Sequence, residues 1–411
     1  MMQRKAFHIL MQRLIKNGTV HVIDHLDNKR SYIGSTATPE ITMRFHSPQI
    51  ATRLMLNPDL AMGEGYMNGE ITVEGGSIYD LLYVLAENIN GKSFSIAHEI
   101  YLWWIKAIKK SMNHISPKAA KANVAHHYDL SPRLYDLFLD DDRQYSCAYY
   151  RKLDNDLNTA QLDKKRHLAA KLHLKPNLTV LDIGCGWGGL ALYLAQTYNV
   201  RVIGLTLSEE QIKYATQRAE KAGLADRVQF MLKDYREVNG SFDRIVSVGM
   251  FEHVGLPQYY TFFNKLHSLL ADDGVALLHS IGSEYNPGSI SPWITKYIFP
   301  GGYIPTLSEV LPNIEQQYFH ITDIEILHHH YAATLQEWRY RFLDNREELP
   351  AHLDDRFVRM WEYYLAGCQA GFQKLGLMNF QIQLMKNKQH IPLTRDYIYE
   401  AEHGISEKIT T

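Results

Sequence analysis

"TVLDIGCGWGGLALYLAQTY", residues 179–198, decides the fold. "TVLDIG" reads as a strand and "GLALYLAQTY" as a helix, with glycines at the turn between them. The pattern then repeats. "VRVIGLT" (200–206) is a strand and "EEQIKYATQRAEKAG" (209–223) a helix. "VQFMLKD" (228–234) and "FDRIVSVG" (242–249) are strands, "YYTFFNKLHSLL" (259–270) is a helix and "GVALLHSIG" (274–282) a strand. Strands alternating with helices predict an α/β fold built on a doubly wound, mostly parallel sheet. Ser208 and Gln211 predict a capping box at the start of the second helix, and Gly223 its end.

The bulk composition is compatible with several domains. A chain of 411 residues suggests two or three, and 45% apolar against 21% charged residues predicts a large folded core. Lys plus Arg number 43 and Asp plus Glu 45, which argues against a dedicated nucleic-acid binder. The three cysteines, Cys147, Cys185 and Cys368, show no CxxC spacing, as expected of a reduced intracellular chain. The N-terminus lacks the apolar run and cleavage site of a signal peptide, and no apolar stretch approaches the ~18 residues of a membrane span.

Ahead of the sheet, residues 1–20 have the spacing of a short basic amphipathic helix. Residues 20–75 read as a small strand-rich region, and helical spacing returns at "SIYDLLYVLAENI" (77–89) with Ser77 at its N-cap. Residues 101–128 carry Lys106, Lys109, Lys110, Lys118 and Lys121, with Trp103 and Trp104 and no acid. Such a segment suits an anionic bilayer surface; an ordinary solvated helix followed by a linker fits it equally. A boundary near 118–123 divides an N-terminal α+β domain (1–120) from a larger domain (121–411). Within the latter, the Gly/Pro-rich insert 284–310 is expected to cover the substrate. Adjacent histidines at 328–330 and 126–127 point to opposite faces of an extended chain, so no metal site is expected. Cys368 lies in a helical stretch and is expected in the core.

Gly184, Gly186 and Gly189 form a GxGxxG frame, which by itself does not choose a ligand. A dinucleotide enzyme places an acid about 20 residues on, where this chain has Thr206. The acid comes early instead, as Asp182. That arrangement resembles class I methyltransferases that bind S-adenosylmethionine. "LKDYRE" (232–237) adds Asp234 and Tyr235, a carboxylate and a ring suited to an adenine.

Four polar positions remain: Cys147 in "QYSCAYY", Glu252 in "GMFEHVG", His279 in "LLHSIGS" and Tyr331 in "HHHYAATL". Glu252 and His279 each follow a predicted strand, at the end where open α/β sheets bind ligands. Together with "HYDLSPRLYDLFLDDDR" and "GLTLSEEQ", these motifs resemble, in order, those of cyclopropane-fatty-acyl-phospholipid synthases over roughly 125–400. The resemblance implies a bicarbonate ion held by the Cys147 N–H, the Glu252 carboxylate, the His279 ring, the Ile281 N–H and the Tyr331 hydroxyl. Cys147 would then serve through its amide, since no neighbouring cation in the sequence activates its thiol. The resemblance also places Tyr145, Ser146, Gly184 and Gly186 at the methionine end of S-adenosylmethionine. Thr206, Leu207 and Gln211 fall at its ribose, and Asp234 and Tyr235 at its adenine. It implies methylene transfer to the cis double bond of a phospholipid acyl chain and a homodimer. It also implies a cytoplasmic location, peripheral to the inner face of the membrane. Methylation without ring closure, of a lipid chain or of a small amine, and a non-catalytic lipid-binding protein are the alternatives. If 101–128 meets the bilayer, replacing Lys106, Lys109 and Lys110 by Gln should weaken sedimentation with anionic vesicles, most strongly at low salt; equal sedimentation would reject that role.

Overall fold

A computed structural model describes residues 2–36, 39–89, 132–285 and 290–409. These fall into two compact units. The segments 101–128 and 125–130 singled out above lie outside the described residues.

The first unit draws on residues up to 89, on 290–300 and on 335–377. It is thus assembled from three stretches of chain rather than from the N-terminal stretch alone. Its sheet has four strands, β1 (Thr19–Ile23), β2 (Lys29–Ile33), β3 (Glu40–Phe45) and β4 (Ile71–Glu74), in the order β2-β1-β3-β4. Strand β3 shows why it forms: Ile41, Met43 and Phe45 alternate into the core while the residues between them face outward. Helix Ile78–Ile89 follows, and Ser77 caps it: the Asp80 N–H donates to Ser77 Oγ and the Ser77 N–H to Asp80 Oδ2. Two further helices, Ile50–Leu56 and Pro58–Met67, interrupt the region expected to be strand-rich. The second begins with Pro58 at its first position and the Asn57 side chain accepting the Leu60 N–H. Its glycines hide it from a propensity reading, but packing requires them. A Cβ on Gly63 would lie 2.3 Å from the Trp293 ring.

The insert expected over the substrate divides between the units, 290–300 going to the first and 301–310 to the second. Trp293, on the short helix Pro292–Tyr297, is fully buried, and its indole N–H points at Met67 Sδ at 3.1 Å. Lys296 Nζ and Tyr297 Oη both reach Glu64 Oε1, at 2.7 and 2.8 Å. The long helix Asp355–Lys374 is tied in by Tyr66 Oη to Glu362 and by Lys374 Nζ to Glu87. Cys368, on this helix, is only partly buried, not a core residue.

The second unit holds the doubly wound sheet. Its strands are β5 (Thr179–Ile183), β6 (Arg201–Thr206), β7 (Val228–Leu232), β8 (Phe242–Val248), β9 (Leu270–Ser283), β10 (His320–Leu327) and β11 (Leu377–Met385). Their order is β10-β11-β9-β8-β5-β6-β7. Pairing is parallel from β9 through β8 and β5 to β7, and β10 runs antiparallel to β11. The winding reverses at β5, with β6 and β7 on one side and β8 and β9 on the other. The carboxyl ends of β5 and its neighbours are therefore the ligand-binding edge. Two apolar layers sandwich the sheet, one containing Phe251, Phe262 and Phe380, the other Leu168, Leu194 and Val246.

Trp293→Ala should destabilise the first unit by about 3–5 kcal/mol, the usual loss for truncating a buried aromatic. Urea unfolding would show it; an unchanged midpoint would mean that Trp293 contributes no packing.

Candidate active site

At the end of β5 the chain turns through Gly184 and Gly186, both with positive φ (87° and 53°). The N–H groups of Gly184 and Cys185 share the Leu205 carbonyl, and helix Gly189–Tyr198 starts directly after the turn. A Cβ on Gly184 would lie 2.8 Å from Met250, whereas the space above Gly186 is open. That open space belongs to a cavity at the switch point. All nine residues expected at the cofactor line it: Tyr145, Ser146, Gly184, Gly186, Thr206, Leu207, Gln211, Asp234 and Tyr235.

Local bonds set their geometry. Asp234 takes Arg236 in a two-pronged ion pair, Nε at 2.8 Å and Nη2 at 2.7 Å. Burial opposes ionisation of Asp234, but Arg236 outweighs it and holds the carboxyl below its usual range. Gln211 departs from expectation. The Ser208 hydroxyl caps the Gln211 N–H, but the Gln211 side chain does not return to Ser208; it meets Thr206 Oγ1 at 2.7 Å. The capping box is half made, and the other half has become a link between two residues of the cavity wall.

The strip 144–150 runs along the cavity with its backbone pinned. Gln161 Nε2 donates to the carbonyls of Gln144 and Ser146. The Ala148 N–H donates to Thr334 Oγ1, the Tyr149 N–H to the Ala160 carbonyl and the Tyr150 N–H to His330 Nδ1. The Tyr149 ring lies flat between His167 (4.2 Å, 7°) and His330 (4.9 Å, 6°). Tyr331, next to His330, is buried. Cys147 is also buried, and burial pushes its thiol well up despite the nearby Lys164 ammonium. The sequence shows no cation beside Cys147; folding supplies one, and the thiol still stays protonated.

Beyond β8 the chain turns at Gly249, whose N–H donates to the His279 carbonyl, and reaches Glu252. Glu252 Oε1 accepts the Ile281 N–H at 2.7 Å, while Oε2 is buried without a partner among the described residues. The Ile281 N–H expected on bicarbonate is thus given to Glu252 here. Burial raises the Glu252 carboxyl from its ordinary 4.5 to about 7, with the Ile281 N–H and Ser280 opposing. His279 is buried between two amides of β11, Asn379 at Nε2 (3.3 Å) and Gln381 at Nδ1 (3.1 Å). Burial lowers its imidazole to about 3, with Lys164 and Lys171 adding to the effect. His279 is therefore neutral, with one N–H and one lone pair, and one of the two amides must turn its oxygen to the ring.

The family described as mycolic acid cyclopropane synthetase matches residues 115–382. The chain belongs to this family. A second family, described only as a domain of unknown function, matches residues 8–97. The cyclopropane-fatty-acyl-phospholipid synthase of Escherichia coli K12 is 38% identical over 86% of this chain and 90% of its own. A probable fatty acid methyltransferase of Pseudomonas putida is 34% identical over 88% and 92%. Among solved structures, the mycolic acid cyclopropane synthase CmaA1 complexed with SAH and CTAB shares 34% identity and a TM-score of 0.60, covering 64% of this chain and 97% of its own. The fold is that of S-adenosylmethionine-dependent methyltransferases, and the strand order and the glycine turn agree with it.

Sequence reasoning missed several groups at the site. Lys164 and His167 lie in "DKKRHL", which reads as a charged, solvated face; yet most of helix Leu157–Lys171 is buried, including both. Asn379 and Gln381 alternate with Phe380 and Ile382 on β11, a pattern that normally marks a wet face, but both faces are covered. Asp182 Oδ2 is buried without a partner among the described residues, and burial raises its carboxyl to about 7, with Lys164 opposing.

A carboxyl whose folded-state pKa is raised favours folding when protonated, and that advantage disappears as pH rises from about 4.5 to 7. Glu252→Gln should therefore match the parent in stability near pH 4.5 and exceed it by about 3 kcal/mol above pH 7. Urea titrations across that range test this; a gain independent of pH would contradict it.

Proposed function

We propose that this chain transfers a methylene group from S-adenosylmethionine to the cis double bond of an unsaturated phospholipid acyl chain, forming a cyclopropane fatty acid. One observation carries the reading: the Glu252 carboxylate, just beyond β8, has one oxygen fixed by Ile281 and the other buried without a partner among the described residues, and a neutral, buried His279 lies on the neighbouring strand β9, paired with Val248 at the end of β8. The kinship with the Escherichia coli synthase supports it.

The cofactor supplies an electrophilic methyl. The alkene π pair would bond to that methyl as the methyl–sulfur bond breaks onto sulfur, giving S-adenosylhomocysteine and a positive charge on the acyl chain; loss of one proton from the new methyl would then close the ring. The proton acceptor in this reading is bicarbonate. With bicarbonate bound, Glu252 Oε2 would accept the hydrogen bond of its hydroxyl. The Tyr331 hydroxyl and the Cys147 N–H of the pinned strip would hold its other oxygens, and His279, whose two ring nitrogens meet Asn379 and Gln381, would reach it by exchanging one of those amides. The Ile281 N–H acts through Glu252, which it orients. This cage serves two ends: it places a base next to the reacting carbon, and its negative charge stabilises the cation. Sealing the site matters as well, since water would trap the cation as an alcohol. Among the described residues no helix is long and apolar enough to cross a membrane; in this reading the acyl chain is reached from the bilayer surface. Lipid-chain methylation without ring closure is the second reading, favoured by the Pseudomonas putida relative.

Incubation with S-adenosylmethionine and vesicles of cis-unsaturated phospholipid should add CH₂ to the acyl chains, with loss of alkene protons and appearance of ring protons. Added CH₂ without a ring would establish the second reading. Glu252→Gln should lower turnover by about 10²–10⁴-fold, the contribution of a positioned base, with S-adenosylhomocysteine affinity little changed; near-normal turnover would remove Glu252 from the chemistry.

A further inference from the structure

Lys164 lines the same cavity on helix Leu157–Lys171 and is only 1% exposed. Its Nζ donates one hydrogen bond, to Ser146 Oγ at 2.8 Å. An ammonium carries three N–H donors. Among the described residues no carboxylate stands within ion-pair distance of it. Nearby acids act on it only at longer range, and most are committed elsewhere. Asp140 accepts the Gln144 and Asp142 N–H groups. Asp142 is held by Lys165 and Arg218. Asp182 faces the cavity with Oδ2 unpartnered. A buried cation with two spare donors is an unstable arrangement unless an anion completes it. Burial lowers Lys164 to about 8, with Asp140 opposing, which leaves it largely protonated at neutral pH.

We propose that Lys164 is the counter-cation of a carboxylate-type anion bound in this cavity, the α-carboxylate of the cofactor's methionine portion. This rests on the reading that the cavity holds S-adenosylmethionine. An amino-acid zwitterion needs a cation and an anion side by side but not bonded to each other. Lys164 supplies the cation, and Asp182, whose carboxyl burial raises to about 7 and which the cofactor's own ammonium would ionise, supplies the anion: among the described residues they form no ion pair, and each has unused hydrogen-bonding capacity. Ser146, already held by Lys164, would be positioned by the same contact. Bicarbonate offers the same planar pair of oxygens, and Cys147 feels the same ammonium, so the experiment must separate the two sources.

Calorimetric titrations in bicarbonate-free buffer would use three probes: S-adenosylhomocysteine, its decarboxylated analogue, which keeps the ammonium, and 5′-methylthioadenosine, which lacks the amino-acid end. The intact protein should prefer S-adenosylhomocysteine over the decarboxylated analogue by about 30-fold, the factor for one charge-assisted hydrogen bond. In Lys164→Met that preference should collapse to about threefold or less with methylthioadenosine affinity unchanged. Lys164→Arg should restore part of it. If instead the parent shows no such preference, but added bicarbonate raises its melting temperature and leaves that of Lys164→Met unmoved, Lys164 stands as counter-cation with bicarbonate as the anion. A parent with neither preference nor bicarbonate stabilisation overturns the proposal, whether or not the variant folds. A Lys164→Met variant that keeps the parent's response overturns it too. Failure of methylthioadenosine and S-adenosylhomocysteine alike to bind the parent would instead reject the cofactor reading of the cavity.

Discussion

Ionised groups are costly to remove from water, by several kcal/mol each unless a partner compensates, and the second unit is organised around that constraint. It buries many charges and treats them in two ways. Some are paired at once. Asp142 sits between Lys165 and Arg218, and Glu325 between His167 and Lys171, held well below the usual carboxylate range by those partners against the opposing effect of burial. The Asp142 and Glu325 carboxylates stay charged, and these contacts fasten helix Leu157–Lys171 to its surroundings. Others are left incomplete. Among the described residues, Asp182 and Glu252 each keep a buried oxygen without a partner, and Lys164 keeps unused donors. The incomplete groups cluster at the carboxyl ends of β5 and β8 and along the cavity. That contrast separates charges that build the fold from groups left incomplete beside the cavity.

The same economy explains the strip around Cys147. The N–H groups of residues 148, 149 and 150 are all taken, by Thr334, Ala160 and His330, while Gln161 holds the carbonyls of Gln144 and Ser146. Stacking of Tyr149 between two imidazoles adds a lateral clamp, and one of those imidazoles, His167, is itself fixed between Glu325 and Glu402. The strip is rigid without being a strand or a helix. Rigidity of that kind suits a segment whose contribution is the direction of an N–H rather than the reactivity of a thiol. The buried, protonated Cys147 thiol agrees with it.

The first unit follows a simpler rule. Its four-stranded sheet is short, and its helices Pro58–Met67 and Ile78–Ile89 complete their packing with segments far along the chain. Small residues such as Gly63 admit the Trp293 ring, and polar contacts from Glu64, Tyr66 and Glu87 fasten those distant segments. A unit of this kind does not coincide with a contiguous piece of sequence.

The alternation from 179 to 283 determined the doubly wound sheet, because period-2 and period-3.6 patterns and a glycine turn are local properties that survive without tertiary context. The positions of Asp182 near the end of β5 and of Glu252 just beyond β8 were legible for the same reason, as was the gathering of Thr206, Asp234 and the two turn glycines at one edge; His279, expected to follow its strand, lies inside β9 because that strand runs on to Ser283. What only the tertiary structure decided concerns burial and partners. Lys164 and His167 carry the signature of a solvated face, and Asn379 and Gln381 that of a wet strand; all four are buried, because helices and strands with both faces covered lose the amphipathic contrast on which the sequence reading depends. The Gln211 side chain could satisfy either Ser208 or Thr206, and only the geometry of the turn chose Thr206. The fold thus follows from local patterning, whereas the electrostatics of the site follow from which distant charges the fold brings within reach of one another.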